Sequence, residues 1–375
     1  MSLSDNTAAL AKQQSGFGPL ARTGFRAHSL FFALIAVYYA ADVYFLRAEP
    51  FGFLLTMAGS ILLGVAMIFF SVFMIRFVHL ATGEQPDQPI KALARDIWAL
   101  SRDHRRLAVG LPMIAVLAPF MTIYGEFKAT VSEVNGGFLW DETFDNWDRL
   151  VHFGTLPWEW LQPILGYAPV TFLINVSYNF WFFAMWMVWS AWAFTLRPDA
   201  TRTRFFLTFL LLWSIGGSAM AIGLSSAGPA YYTRIGLSPD PYQPLMAYLH
   251  AANEFLPVWA LNTQDALLTG FNGRTVADGI SAMPSMHNAS SLLFLLVARR
   301  LGKWPFRLLA IHFVLIFIGS IHLAWHYAVD AYIGWALTLV LWFATKPVAE
   351  WWDERPASIE LRRAIENYQP QKPTA

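Results

Sequence analysis

Apolar residues run along this chain in long blocks, not at the one-in-two or three-to-four spacing of a half-buried strand or helix. Eight blocks approach the roughly 20 residues a helix needs to cross a bilayer core of about 30 Å. They fall at about 29–46, 53–79, 107–125, 170–196, 205–224, 285–300, 306–323 and 326–346. The segments between them carry the Gly and Pro turns. The pattern predicts an all-α, polytopic bundle of about eight transmembrane helices. Residues 1–28 form a polar tail; 29–106 hold two helices and a basic stretch; 107–346 hold six more; 347–375 form a second tail with one short helix at 355–367. Within 88–106, Ile90, Leu93, Ile97 and Leu100 share one side of a basic amphipathic helix suited to a membrane surface. The first block contains Asp42 and reads as a retained helix, not a cleaved leader.

Composition agrees with the pattern: 56% of residues are apolar and 14% charged, with 17 Trp, 31 Phe and 13 Tyr. Cysteine is absent, which excludes disulfides and thiolate chemistry. The net charge of +1 is uninformative because the charges are sorted by segment. With the N-terminus in the cytoplasm, 21 of the 26 Lys and Arg fall in inner segments. The outer segments keep Arg47, Lys128, Arg149, Arg234 and Arg274. The positive-inside rule then predicts two cytoplasmic termini and an integral protein of the bacterial inner membrane type. The outer segment 126–169 is acidic and aromatic; its stretch FDNWDRLVHFGTLPWEWLQ reads as an interfacial or re-entrant helix capped by Gly154 and Pro157. The second outer segment, 225–283, carries several Gly and Pro turns.

Two short stretches carry candidate chemistry. Pro284-Ser285-Met286-His287 opens one apolar block, and His326-Tyr327-Ala328-Val329-Asp330 opens another, 39 residues later. Two hydrophobic passages separate them, so both histidines reach the same, outer face. His326 and Asp330 are spaced i, i+4, so the carboxylate can hold one imidazole nitrogen and leave the other free to attack. Pro284-Ser285 is a helix start, whose backbone N–H groups suit an anion. His79, His104, His152, His250 and His312 read as hydrogen-bonded interface residues. Ionisable groups at membrane depth default to a functional reading when they form a set.

These residues carry a resemblance. The PSMH and HYAVD pair resembles the type 2 phosphatidic acid phosphatase superfamily of membrane lipid phosphatases and phosphotransferases. Within it, HY-x-x-D resembles the branch of inositol phosphorylceramide and sphingomyelin synthases, and AGPAYY (227–232) is similar to the former. The resemblance covers the six helices from about 107 to 346. It implies that His326 takes the phosphoryl group and becomes phosphohistidine, that Asp330 orients it, and that His287 protonates the leaving oxygen. Ser285 and nearby backbone N–H groups would hold the phosphate. The chain departs from the superfamily pattern at Met286, where Gly is usual, and at Ser320, where Arg is usual; the Lys and Arg-Pro of the first motif are not intact. Phosphoryl transfer needs positive charge at the equatorial oxygens, and the outer segments offer Arg234 and then Arg274 for it. His322, one turn before His326, reads as a packed interface residue or, if protonated, as a further cation for the phosphate.

The departures favour a head-group transferase of the inositolphosphotransferase kind, with a lipid or polyprenyl phosphate phosphatase as the alternative. The expected partners are the lipid bilayer, a lipid phosphoester and a lipid or polyol hydroxyl acceptor, with no nucleic acid. No cofactor and no metal are expected, because the outer carboxylates lack a ligand spacing. A proton-coupled transporter would instead distribute polar residues through several helices or show inverted repeats. An inactive scaffold would have no use for the His-His-Asp set.

Overall fold

The computed structural model describes residues 17–46, 50–273 and 279–368, and every regular element among them is helical. Among the described residues, seven helices are long and apolar enough to cross a membrane. The chain is therefore an integral, multi-pass, all-α membrane protein. Only a closed internal hydrogen-bond ladder survives in hydrocarbon, where no water satisfies free N–H and C=O groups.

In chain order, an amphipathic helix α1 (Phe17–Ala27) leads into α2 (Ser29–Leu46) and the long α3 (Pro50–His79). The surface helix α4 (Pro89–Ser101) follows, then α5 (His104–Ala129). Two short helices, α6 (Asp141–Val151) and α7 (Pro157–Leu165), precede α8 (Ala168–Ala193). Helix α9 (Ala200–Leu211) continues as a π-helix over Leu212–Met220. Helices α10 (Gln243–Asn253) and α11 (Trp259–Gly273) lie in the next connection. The chain ends with α12 (Met286–Leu301), α13 (Lys303–His322), α14 (Ala328–Asp353) and α15 (Pro356–Glu366).

Helix α12 is the hub, packed on α8, α9, α13 and α14. It corresponds to the expected block 285–300, but at 16 residues it reaches only about 24 Å. The Ser285 cap starts it, and Gly302, at φ +127°, ends it and caps α13. Its neighbours surround it, so Asn288, Ser290 and Ser291 are buried among protein groups. Helix α8 carries a buried, mostly aromatic stripe of Tyr178, Trp181, Met185, Trp189 and Trp192. The expected interfacial stretch becomes the helix pair α6 and α7. Helices α1, α10 and α11 were not anticipated; each is short and sits in a mixed polar segment, where burial of one face, not a long apolar run, supports the helix.

The two N-terminal spans dock on the outside of this core. Both α2 and α3 pack on α5, and α3 also packs on α8. Tyr38 of α2 stacks on Phe127 of α5 and shares a 2.6 Å hydrogen bond with Ser218 of the π-helix. Asp42 is fully buried in this seam beside Glu126.

At the end of the bundle away from the histidines, Arg202 of α9 ties the α1–α2 turn to α5 and α8. Its guanidinium donates to the carbonyls of Trp192 (2.9 Å), Ala193 (3.0 Å) and Val109 (3.1 Å) and to His28 Nε2 (2.7 Å). His28 Nδ1 lies 2.6 Å from the Gly24 carbonyl, so Nδ1 carries the proton and Nε2 accepts. Burial, and then the Arg202 charge, push the His28 pKa down to about 3. Arg300 at the far end of α12 pairs with Asp199 nearby.

Candidate active site

The PSMH and HYAVD stretches meet at one end of the bundle. The Ser285 amide donates to the Asp330 carbonyl at 3.0 Å. Ser285 is the N-cap of α12, its hydroxyl accepting from the amide and side chain of Asn288. Gly334 lets the helices approach this closely, since a Cβ there would sit 2.9 Å from the Ser285 carbonyl. His326 lies just ahead of α14, not within it, in a turn whose amide donates to the Ser320 carbonyl at 2.9 Å. The i, i+4 contact forms nonetheless, with Nδ1 of His326 3.2 Å from Asp330 Oδ2. Asp330 is fully buried, and its Oδ2 also accepts from the Tyr327 amide at 3.1 Å. The imidazoles of His287 and His326 stand with ring centroids 6.2 Å apart. Geometry of this kind offers one nucleophilic nitrogen, one acid and a carboxylate that fixes the tautomer.

Aromatic rings line the pair. Tyr178 stacks on His287 at 4.8 Å and 16°, Trp181 lies 3.9 Å from it, and Trp325 stacks on Tyr178. In the sequence, Tyr178 and Trp181 sit mid-block and look like any lipid-facing aromatic; only their four-helix neighbourhood reveals the inward position.

The other candidates part company with the histidines. Arg234 pairs with Asp265 at 2.7 Å on the surface. Arg149 pairs with Asp145 at 3.1 Å. Arg274 lies outside the described residues. Lys128, in the last turn of α5, is the lysine whose charge is felt at His287. Ser320, where the superfamily pattern has Arg, is neutral and occupied: its hydroxyl donates to Phe317 O and accepts from the Asn288 side chain. His322 is bonded to Thr171 Oγ1 at 2.9 Å, His312 to Ser177, His152 to Tyr332, and His104 to Tyr368. These four are interface histidines.

Three carboxylates of α6 frame the site from outside. Asp141 accepts from the Ala227 and Gly228 amides (both 2.8 Å), the Ser226 hydroxyl and the Tyr327 hydroxyl (2.8 Å). Asp145 accepts from Tyr242 at 2.9 Å. Asp148 accepts from the Ala328 and Val329 amides, both at 2.9 Å. The AGPAYY loop is thus stitched to both motifs. Ala230 donates to Ala324 O and Ala282 to Ser226 O; Gly228, at φ +95°, would place a Cβ 2.7 Å from Trp325 O. Burial raises the pKa of Asp141, and burial brings Asp148 to about 7 against the pull of its two amide donors. The signal was present in the sequence as acids at i, i+4 and i+7 sharing a helix face with Phe144. Their partners were not.

A model of the PAP2 superfamily matches residues 143–344. The match spans more than half of the chain, so the chain belongs to the PAP2 superfamily and is, at that level, a membrane phosphatase or phosphotransferase of the lipid type. No curated protein and no solved structure matches it. Among the described residues no group of three or more His, Cys, Asp or Glu is placed to hold a metal.

Proposed function

We propose that this enzyme transfers a phosphoryl-bearing group from a lipid phosphoester at the outer face of the membrane, through a phosphohistidine on His326. The observation that supports it most is the convergence of His287, His326 and Asp330 at the junction of α12 and α14. Asp330 holds the proton on Nδ1, so Nε2 carries the lone pair that attacks phosphorus. The P–O bond to the leaving group breaks as the P–N bond forms, and His287 gives its proton to the departing oxygen. In the second step an acceptor hydroxyl attacks the phosphorus, returns its proton to His287 and releases His326. Charge on the equatorial oxygens is met by the Ser285 end of α12 and by Lys128, the cation whose field reaches His287.

The aromatic lining supports an organic acceptor over water. His287 is enclosed by Tyr178 and Trp181, flat apolar surfaces that suit a polyol ring or lipid hydroxyl better than free water. This favours the inositolphosphotransferase-like reading; a hydrolytic lipid or polyprenyl phosphate phosphatase differs only in the acceptor. The test is product analysis by mass spectrometry. Purified protein receives phosphatidylinositol or phosphatidate, with and without ceramide or diacylglycerol, beside a His326→Ala control. A new head-group-bearing lipid that depends on His326 supports the transferase, and phosphate or head-group phosphate alone supports the hydrolase. Full turnover by His326→Ala sinks the phosphohistidine.

A further inference from the structure

We propose that Asp148 is a positioning residue for the reaction, an external clamp on the N-terminus of α14 that fixes Asp330 against His326 and makes catalysis depend on its own ionisation. The proposal rests on the phosphohistidine reading, but its geometry stands apart from it. Asp148 does not touch the histidines. Both of its oxygens are engaged, Oδ2 by the Ala328 amide and Oδ1 by the Val329 amide. These are the first two helical residues of α14, whose amides have no partner within the helix. Asp330 is the next residue along, and its Oδ2 is already divided between His326 Nδ1 and the Tyr327 amide. The angle at which α14 starts therefore decides whether Asp330 reaches the imidazole. Asp141 supports the same turn from the other side through the Tyr327 hydroxyl.

The ionised form is the one that clamps. A carboxylate can accept both amides and meets the positive end of the helix dipole, whereas a protonated acid gives up one oxygen and the charge. The groups facing Asp148 determine when it ionises. Asp330 on α14 opposes its charge, and His152 on the following turn favours it. The hydroxyls of Tyr332 on α14 and Tyr242 ahead of α10 lie within its field, and the Asp145–Arg149 pair is one turn away on α6. Their balance, with burial dominant, brings Asp148 to about 7. A small change of pH at the outer face would loosen or tighten the active turn.

Two measurements test this. The first is the pH profile of kcat and KM for wild type and Asp148→Asn, with phosphatidylinositol in mixed micelles as substrate. Wild-type kcat should rise through pH 7, and the Asn variant should lose that limb and run about tenfold slower with KM within twofold. A variant profile that superimposes on wild type overturns the proposal. The second needs no variant and no turnover: amide hydrogen exchange of the peptide spanning 327–331, corrected for intrinsic rate, between pH 6 and 8. Protection should increase as pH rises. Protection that is flat in the folded wild-type protein overturns the clamp even if the catalytic reading stands, and an active His326→Ala removes the catalytic reading while exchange still decides the clamp.

Discussion

In the proposed reaction His326 and Asp330 divide one task, and the sizes of their losses should show it. Replacing Asp330 by Asn leaves shape but removes the charge that holds Nδ1–H, and kcat should fall about 10²–10⁴-fold, as for other carboxylates that fix a catalytic imidazole. His287→Gln should cost about 10²–10⁴-fold, the range of general acid catalysis, and far less for a substrate whose leaving group needs no proton, such as a nitrophenyl phosphate. Equal losses on both substrates would remove His287 from the acid role. Lys128→Gln should raise KM with a smaller change in kcat, and Arg234→Gln should change neither, because Arg234 is turned to Asp265. Steady-state kinetics on the four variants decides this. A strong effect at Arg234 would return it to the phosphate.

Helix α12 organises the end that holds His287 and His326, and Arg202 the opposite one. Arg202 sits in a junction of α9, α8, α5 and the α1–α2 turn, donating to three carbonyls and His28. Removing it leaves those acceptors buried and unpaired, at about 3–5 kcal/mol. The His28 pKa of about 3 against an ordinary 6.5 has a defined sign. Between those values the unfolded chain binds the extra proton and the folded one does not, so stability is lost as pH falls from about 6.5 toward 3. Melting temperature in detergent should drop across that window, and His28→Gln should flatten the drop. An unchanged slope would show that His28 is not the group responsible. Neither residue could be singled out in the sequence: Arg202 reads as one of several inner-segment cations, and its acceptors come from three separate stretches.

For the whole molecule, the charge asymmetry predicts the active end outside the cell membrane. Aromatic and aliphatic side chains crowd the same end: Phe153 is 92% exposed, with Leu150 and Ile164 nearby in sequence also exposed. Such residues suit the head-group boundary. The absence of cysteine makes orientation directly testable. A single Phe153→Cys should react with an impermeant maleimide on intact cells, and Arg197→Cys, between α8 and α9, only after permeabilisation. The reverse pattern would invert the topology and put the site in the cytoplasm.

The positions of the long apolar helices, the superfamily and the His-His-Asp set were legible in the sequence because each depends on near neighbours along the chain. An apolar run long enough to cross hydrocarbon has one low-energy form, and the two passages between the motifs bring both histidines to one face by parity. Ser285 as a cap and Asp330 beside His326 are contacts of three and four residues. Tertiary structure alone decided what lies between: the Asp148 grip on the α14 amides, the AGPAYY loop laid across Trp325 and Ala282, Arg234 drawn off to Asp265, and α12 shortened and buried at the hub. Those pairings join residues tens to hundreds of positions apart, where sequence records the donors and acceptors but not their partners. Buried polar groups must find partners wherever the packing brings them.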